Sequence, residues 1–428
     1  MLGNLPIIMN LMNRRPIISF LPFCHSFMSN QLFKASNASV FASLSAKKSD
    51  TGSDHDASIC IGFVGDVMLG RGIDAILPNH VDGTIYESFM RDASGYVNLA
   101  IRHTGPLPQD ELKERGHYYI WGDLMETLTI PDLMVVNLET ALTTSEDYAK
   151  WKGIHYRAHP LNVQSLRAFG PNSIFTLANN HVLDWGVEGL KETIATLDEA
   201  QMKHVGAGLS FDDARVPAIS TIQKRQVSVV AVGFLSAGVP KQWEAGRFNN
   251  SGVCYMEEPT KANAEEIMKQ IQNIDSIKVV SLHMGPNWND KIPHTWRHFA
   301  HNLIDNGADV VVTHSSHHVK GIEVYKDRMI SYGLGDFLND YEGITGQGYE
   351  AYRQDLTCLY LPCLNVNGEL QTIEIIPCKI NHLKVQRATD ENDIGWICSA
   401  LSREGKNLGT FCEKVQDRNG NMNLRIRW

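Results

Sequence analysis

The sequence predicts an α/β architecture with largely buried strands, and two features carry that reading. Short β-branched apolar runs alternate along the chain with segments of helical periodicity. Several of those runs end in a carboxylate, an amide or an imidazole: Asp66, Glu139, Asn180 with His181, His283, and the triplet His314, His317 and His318.

In chain order, the strand candidates are residues 59–65, 132–138, 173–178, 227–234, 277–283 and 308–313, each rich in Val, Ile, Leu or Phe. Hairpin-like segments follow at 321–333, 356–366 and 370–378, the last two joined through Asn365-Val-Asn-Gly, a turn signal. Between strands, Val187, Leu190, Ile194 and Leu197 recur at helical spacing and predict an amphipathic helix to about Gln201. Trp296, Phe299, Ala300, Leu303 and Ile304 repeat the pattern, with Asn306-Gly307 as its stop. A further helix is expected over 261–273. Residues 1–57 are read as a leader, 58–345 as the main domain and 346–428 as a β-rich C-terminal extension packed on it.

The 428 residues are 43% hydrophobic and 20% charged, as in soluble globular proteins. With 39 basic against 48 acidic residues the formal net charge is -9, which disfavours broad attraction to nucleic acid. The eight cysteines show no CxxC and no close-paired framework, so they read as small core hydrophobes, consistent with a reducing compartment. The first 49 residues hold no Asp or Glu but contain Arg14, Arg15, Lys34, Lys47 and Lys48, the bias of an organellar targeting peptide. A secretory leader and a plain disordered extension stay open beside it, with an organellar or cytoplasmic soluble protein as the expectation. The apolar run from Pro16 to Cys24 is shorter than the roughly 20 residues a membrane-spanning helix needs, so no transmembrane segment is expected.

Carboxylates, imidazoles and an amide oxygen on a rigid frame are the inventory of a divalent metal site that hydrolyses esters. Asp66, Glu139, Asn180, His283, His314 and His317 supply it, and His181 beside Asn180 is an acid/base candidate suited to protonating a leaving group. Arg71 is a candidate for holding negative charge, with a structural salt bridge to a metal carboxylate as its alternative, and Arg157, Asn287 and Trp288 are substrate-contact candidates. Asp184 is read as a cap for the helix starting near Val187, and Asp336 and Asp340 either as carboxylates that orient ligand histidines or as turn residues. His155, His159, His294, His298, His301 and His318 are expected at the surface or around the site rather than in it.

Six ordered motifs carry a resemblance. Gly65-Asp66-Val-Met-Leu-Gly-Arg71, Asn137-Leu-Glu139, Leu177-Ala-Asn-Asn-His181-Val-Leu-Asp184, Ser281-Leu-His283, His314-Ser-Ser-His317 and Tyr332-Gly-Leu-Gly-Asp-Phe337 resemble the CapA-type capsule and poly-γ-glutamate synthesis family, a relative of the calcineurin-like metallophosphoesterases. The likeness runs from about residue 59 to 345 and on through Tyr349-Glu-Ala-Tyr-Arg353. It implies a four-layer α/β/β/α sandwich and one or two divalent ions (Mn, Zn or Fe). Asp66 would be the first metal-binding aspartate, Glu139 the bridging carboxylate, Asn180 and His181 the ligand and catalytic pair, His283 a strand-end ligand, and His314 with His317 the final pair.

Two departures stand out. Phosphoesterases carry a histidine two residues after the first aspartate, where this chain has Met68, a poor ligand for hard metals, and two serines rather than one residue separate the final histidines, which implies one metal position that is weak, absent, or rebuilt by Asp184 or His318. The resemblance thus implies hydrolysis of a phosphoester or related anionic small-molecule or polymer substrate by metal-activated water. Two alternatives accompany it: an accessory role in poly-γ-glutamate or capsule polymer synthesis, and a γ-glutamyl amide hydrolase.

Overall fold

The computed structural model describes residues 58–247, 250–345 and 348–428; the leader expected at residues 1–57 lies outside them. They form a mixed α/β structure whose main elements are β1 (Ile59–Val67), α1 (Ser94–Thr104), β2 (Leu133–Leu138), β3 (Ser173–Thr176), α2 (Gly186–Glu199), β4 (Lys203–Val205), β5 (Ala218–Ile222), β6 (Arg225–Phe234), β7 (Tyr255–Met256), α3 (Lys261–Lys269), β8 (Ser276–His283), α4 (His294–Asp305), β9 (Val310–His314), β10 (Ile322–Tyr325), β11 (Arg328–Ser331), β12 (Asp336–Leu338), β13 (Leu356–Leu364), β14 (Leu370–Asn381), β15 (Lys384–Arg387), α5 (Glu391–Gly405), β16 (Phe411–Gln416) and β17 (Met422–Arg427).

Two large sheets organise them. In the first, the order is β16-β17-β14-β13-β1-β2-β3-β4, with β12 also paired to β1 and β15 to β14; in the second it is β7-β6-β8-β9-β11-β10, with β5 on β6. At the centre of each sheet the strands are parallel: β1 with β2, β2 with β3, β6 with β8, and β8 with β9.

Strand alternation assigns each apolar side chain to one face or the other. Ile61, Phe63, Val135 and Ile174 of the first sheet pack with Val227, Val229, Ile277, Val279, Val310 and Val312 of the second in one buried cluster. The opposite faces are covered separately. Val64, Val136 and Phe175 pack with Leu190, Ile194 and Leu197 of α2, while Val280, Leu282 and Val311 pack with Ile267 of α3 and Phe299 and Leu303 of α4. Each fully buried side chain of this kind contributes on the order of 1.5–3 kcal/mol relative to exposure.

The C-terminal region, read as β-rich, contributes strands to the first sheet through the antiparallel β1–β13 pairing, and beyond the elements expected from sequence it contains α5. That helix starts at an Asp390 cap accepting from the N–H groups of Asn392 and Asp393, and it buries Ile394, Ile397 and Leu401. The reading of all eight cysteines as unpaired core groups needs correction. Cys60 on β1 and Cys363 on β13 form a disulfide across 303 residues, while Cys254, Cys358, Cys378, Cys398 and Cys412 are free. No spacing motif announces such a pair, because sheet register alone places the two residues opposite each other. Among the described residues no helix is long and apolar enough to cross a membrane.

Candidate metal centre

Parallel strands of one sheet end on the same side, so residues just past their carboxyl ends are brought together. Asp66 is in register with Asn137 and, on the other side, with Asp336; in the second sheet His283 is in register with His314. Close approach at β1 requires glycine. A Cβ on Gly65 would stand 2.0 Å from the Gly335 carbonyl oxygen, and the Asp66 N–H donates to that same oxygen at 2.9 Å.

Asp66 is the hub. Its Oδ1 accepts from Asn137 Nδ2 at 2.8 Å and pairs with His314 Nδ1 at 2.9 Å, and its Oδ2 accepts from the Ser315 N–H at 3.1 Å. Two donor groups share it: Asp66 with His317 and Asp336, and Asp66 with Glu139 and His283, the donor atoms within each group lying within 4.8 Å of one another. All five residues are buried. Spacings of that order suit carboxylate and imidazole donors converging on a divalent ion.

The two groups are held differently. His317 Nδ1 bonds Asp336 Oδ1 at 2.7 Å, and Asp336 Oδ2 accepts from Asn339 Nδ2 at 2.9 Å. In contrast, both carboxylate oxygens of Glu139 are buried without a hydrogen-bond partner, and Oε1 lies 3.7 Å from His283 Nε2 and 3.8 Å from His181 Nε2. A buried carboxylate in that state is costly unless a cation or a proton meets it. The donor set therefore fits a divalent ion.

Protonation follows the same geometry. Burial, then repulsion from Asp66, raises the Glu139 carboxyl well above its usual range, so a proton on Glu139 is the form that tolerates Asp66 beside it. Burial also pushes Asp66 up, but the hydrogen bond and charge of His314, with His283 and His317 beyond, outweigh it and hold the carboxyl low. Burial lowers His283 to about 3 and His181 to about 4, the latter against the opposing pull of Asp184. Both imidazoles are thus neutral at physiological pH in the metal-free protein, a state that suits His283 as a ligand.

The positions expected from sequence are not all brought together. Asp66, Glu139, His283 and His317 converge, and Asn180 joins them through Oδ1, 2.9 Å from His283 Nε2. His314 stands against Asp66 but outside both donor groups. The hub shared by the groups is Asp66, where the resemblance implied Glu139. Asp336, expected to orient a histidine or fix a turn, is itself a member of a donor group.

His181 faces Glu139 through Nε2 while its Nδ1 bonds Asp184 Oδ2 at 2.6 Å. Asp184 does not cap α2, whose first turn lacks a side-chain cap. It instead accepts from His181, the Tyr156 N–H and Lys152. Lys152 was not anticipated; only the fold brings it to Asp184.

Arg71 and Arg157, the two arginines expected to meet an anion, both have internal partners. Arg71 is buried against Asp340 and Glu87 and also donates to the Tyr96 hydroxyl, which occupies most of the five N–H donors a guanidinium carries. These partners, Asp340 and Glu87, are not members of either donor group, so the ion pair differs from the expected salt bridge to a metal carboxylate. Arg157 donates to the Ser145 and Asp82 carbonyls and to Glu146 Oε1, with its guanidinium 3.8 Å from the Trp185 ring centre. Trp288 is half-buried, its ring centre 5.3 Å from that of His317, and Asn287 is exposed beside it. Met68 is buried and accepts from the Tyr341 hydroxyl at 3.4 Å. His318 and His155, expected near the surface or around the site, are both buried.

The two serines between His314 and His317 have a structural use. Ser315 adopts φ 85° and His317 φ 54°, a turn that aims the Ser315 N–H at Asp66 while the Ser315 hydroxyl donates to the Gly285 carbonyl at 2.8 Å. Strained backbone of this kind gathers at functional sites.

Fold and site together define an α/β protein with a candidate metal centre at the carboxyl ends of its parallel strands. The chain belongs to the bacterial capsule synthesis protein PGA_cap family, whose model matches residues 60–341. It is 39% identical over 355 residues to a probable polyglutamine synthesis accessory protein of Mycobacterium tuberculosis, covering 81% of this chain and 90% of the relative. It is 26% identical over 366 residues to the capsule biosynthesis protein CapA of Bacillus anthracis, covering 83% and 75%. With the PGA biosynthesis protein CapA of Bacillus subtilis it shares 25% over 356 residues, covering 80% of each. Among solved structures, a protein of Thermus thermophilus named TT1561 aligns with a TM-score of 0.32 at 12% identity over 58% of this chain and 92% of that one, a likeness too weak to bear on the fold.

Proposed function

We propose that this protein is a metal-dependent hydrolase of a phosphoester or a related anionic substrate, built on residues 58–345 as an α/β/β/α sandwich of the calcineurin-like kind, with 346–428 extending its first sheet. One observation carries the reading: Asp66 belongs to two donor groups at once, while Glu139 in the second has two buried, unpartnered oxygens. Asp66, Glu139, His283, His317 and Asp336 would hold one or two divalent ions, with Asn180 contributing Oδ1, and Asp336 makes up the donor count that Met68 leaves short. Such an ion supplies Lewis acidity and lowers the pKa of water from about 15.7 towards 7.

The rest of the chemistry falls to side chains. His314 and the Ser315 N–H fix the Asp66 carboxylate. His181 has its Nδ1 committed to Asp184, so its Nε2 is the atom that faces the reacting centre and, once protonated there, delivers a proton to the leaving-group oxygen. Trp288 and Asn287 stand at the rim as substrate contacts.

A second reading rests on the relatives, whose descriptions name polyglutamine or PGA synthesis. In it the centre binds metal or polymer in an accessory role to poly-γ-glutamate or capsule synthesis, without ester turnover. Elemental analysis of the purified protein, run beside a screen of phosphomonoesters, phosphodiesters and γ-glutamyl amides for wild type and His181→Ala, separates the two. One or two ions per chain with His181-dependent ester hydrolysis supports the first. Bound metal with no turnover moves the assignment to the accessory role, and His181-dependent amide cleavage to a γ-glutamyl hydrolase. A metal-free protein would contradict the metal centre itself.

A further inference from the structure

We infer that Lys152 is a positioning residue that ties the metal-ligand turn to the proton donor, so that Asn180 and His181 are held as one unit. The inference rests on the assignment of His181 as proton donor in the hydrolytic reading.

The Lys152 ammonium donates to the Asn180 carbonyl and to Asp184 Oδ1. It also lies 3.4 Å from His181 Nδ1 and 5.1 Å from the centre of the Trp243 ring. Its side chain is 11% exposed and the Asp184 carboxylate 0%, so the pair is screened from bulk water and its geometry is retained more firmly than a surface ion pair's. Around it, the Ala149 N–H donates to the Asp184 carbonyl at 2.8 Å and the Tyr156 N–H to Asp184 Oδ2 at 2.7 Å. The segment from Ala149 to Tyr156 therefore wraps the turn at residues 180–184, and Lys152 is its charged clasp.

Two consequences follow from that placement. Asp184 Oδ1 is taken by Lys152, which leaves Oδ2 for His181 Nδ1 and holds the imidazole with Nε2 towards Glu139. The Asn180 carbonyl is anchored by the same ammonium, while the Asn180 side chain accepts from His283. In the reaction, His181 takes a proton from solvent on Nε2 as the anionic substrate binds. A water oxygen bonds to phosphorus and gives up a proton to solvent as the ester P–O bond breaks; the bonding pair stays on the leaving oxygen, which takes the His181 proton, and the imidazole is left neutral. Removing Lys152 frees Asp184 to rotate and spoils that delivery without removing a metal donor.

The test compares Lys152→Met with wild type on an alkyl phosphate, whose leaving group needs a proton, and on p-nitrophenyl phosphate, whose leaving group does not. General acid catalysis is worth about 10²–10⁴-fold, so a misaimed acid should lower kcat on the alkyl ester by about 10–100-fold. KM should stay within about threefold, p-nitrophenyl turnover within about threefold, and metal content unchanged. Lys152→Arg, which keeps charge and two donors, should recover at least about a third of alkyl turnover. Independently of activity, the ring-nitrogen NMR signals of His181 should show one Nδ1-protonated species in wild type and in Lys152→Arg, and a mixed or broadened set in Lys152→Met. Equal losses on both esters, or an unchanged His181 spectrum in Lys152→Met, overturn the inference. If wild type turns over no ester, the hydrolytic reading fails on its own account, and the spectra alone decide whether Lys152 positions His181.

Discussion

The His317–Asp336 side and the Glu139–His283 side of Asp66 are equally buried but differ in what satisfies them. On the first, the imidazole and carboxylate bond each other and Asn339 closes the network. On the second, the carboxylate oxygens have no hydrogen-bond partner, and the histidine bonds an amide that is itself a ligand candidate. A satisfied buried network stabilises a fold, whereas an unsatisfied one costs about 1–3 kcal/mol per group and is retained where a ligand meets it. The contrast teaches that the Glu139 side is the demanding half of the centre and should take the first ion, with the His317 side tuning or completing it.

The largest expected effect breaks the demanding half. Glu139→Gln or His283→Ala should lower metal affinity by at least about 100-fold, whereas Asp336→Asn, on the satisfied side, should cost about 10–100-fold. Titration of the metal-free protein by calorimetry reads both, and a larger loss for Asp336→Asn would reverse the order of the two sides.

Comparable in size is the effect expected at the Arg71 cluster, which contrasts with the centre by being fully paired. Replacing Asp340 by Ala leaves the Arg71 guanidinium with one fewer anion in a buried setting and should cost about 3–5 kcal/mol. Metal affinity should stay within about threefold, as read by denaturant unfolding and the same calorimetry. A stable variant that loses substrate binding would return Arg71 to the substrate. The disulfide belongs to the same fabric. Cys60→Ser should cost about 2–5 kcal/mol, measured by thermal unfolding with and without reductant, and no loss would mean that the thiols stay reduced.

The smallest effect is the most diagnostic of the contrast. Because the folded-state pKa of Glu139 is raised, its contribution to stability is fully present below its unfolded value near 4.3 and is lost as pH rises through the folded value. Asp66 has the opposite sign: its lowered pKa contributes stability above its unfolded value near 3.9, lost as pH falls through the folded one. Metal-free wild type should therefore lose stability on the alkaline side relative to Glu139→Gln, which should melt about 2–4 °C higher at pH 8. Added metal should reverse that ranking, since only wild type binds it tightly. A variant no more stable than wild type without metal would show that Glu139 is not held at a cost.

Much of this arrangement was legible in the sequence, and the reason is local. Asp66, Glu139 and His283 each close an apolar run, and parallel strands gather such ends on one side of a sheet. Asp336 and Lys152 follow no such rule. Asp336 reaches Asp66 through strand pairing across more than half the chain, and Lys152 acts from a loop whose position only the turn at residues 180–184 defines. Arg71 read as an anion holder because its charge was visible while its partner Asp340 was 269 residues away. α5 carried its signal in the Asp390 cap and the spacing of Ile394, Ile397 and Leu401, but a hairpin reading of the preceding strands left it unclaimed.

The central claim is that Asp66, Glu139 and His283 converge on an ion. Anomalous diffraction from crystals soaked in manganese tests it most directly. A peak within about 2.0–2.3 Å of a carboxylate oxygen of Asp66 and of Glu139 and of a ring nitrogen of His283 is the expected result. A peak placed elsewhere, or none in crystals whose Glu139 oxygens still lack a partner, would contradict the account.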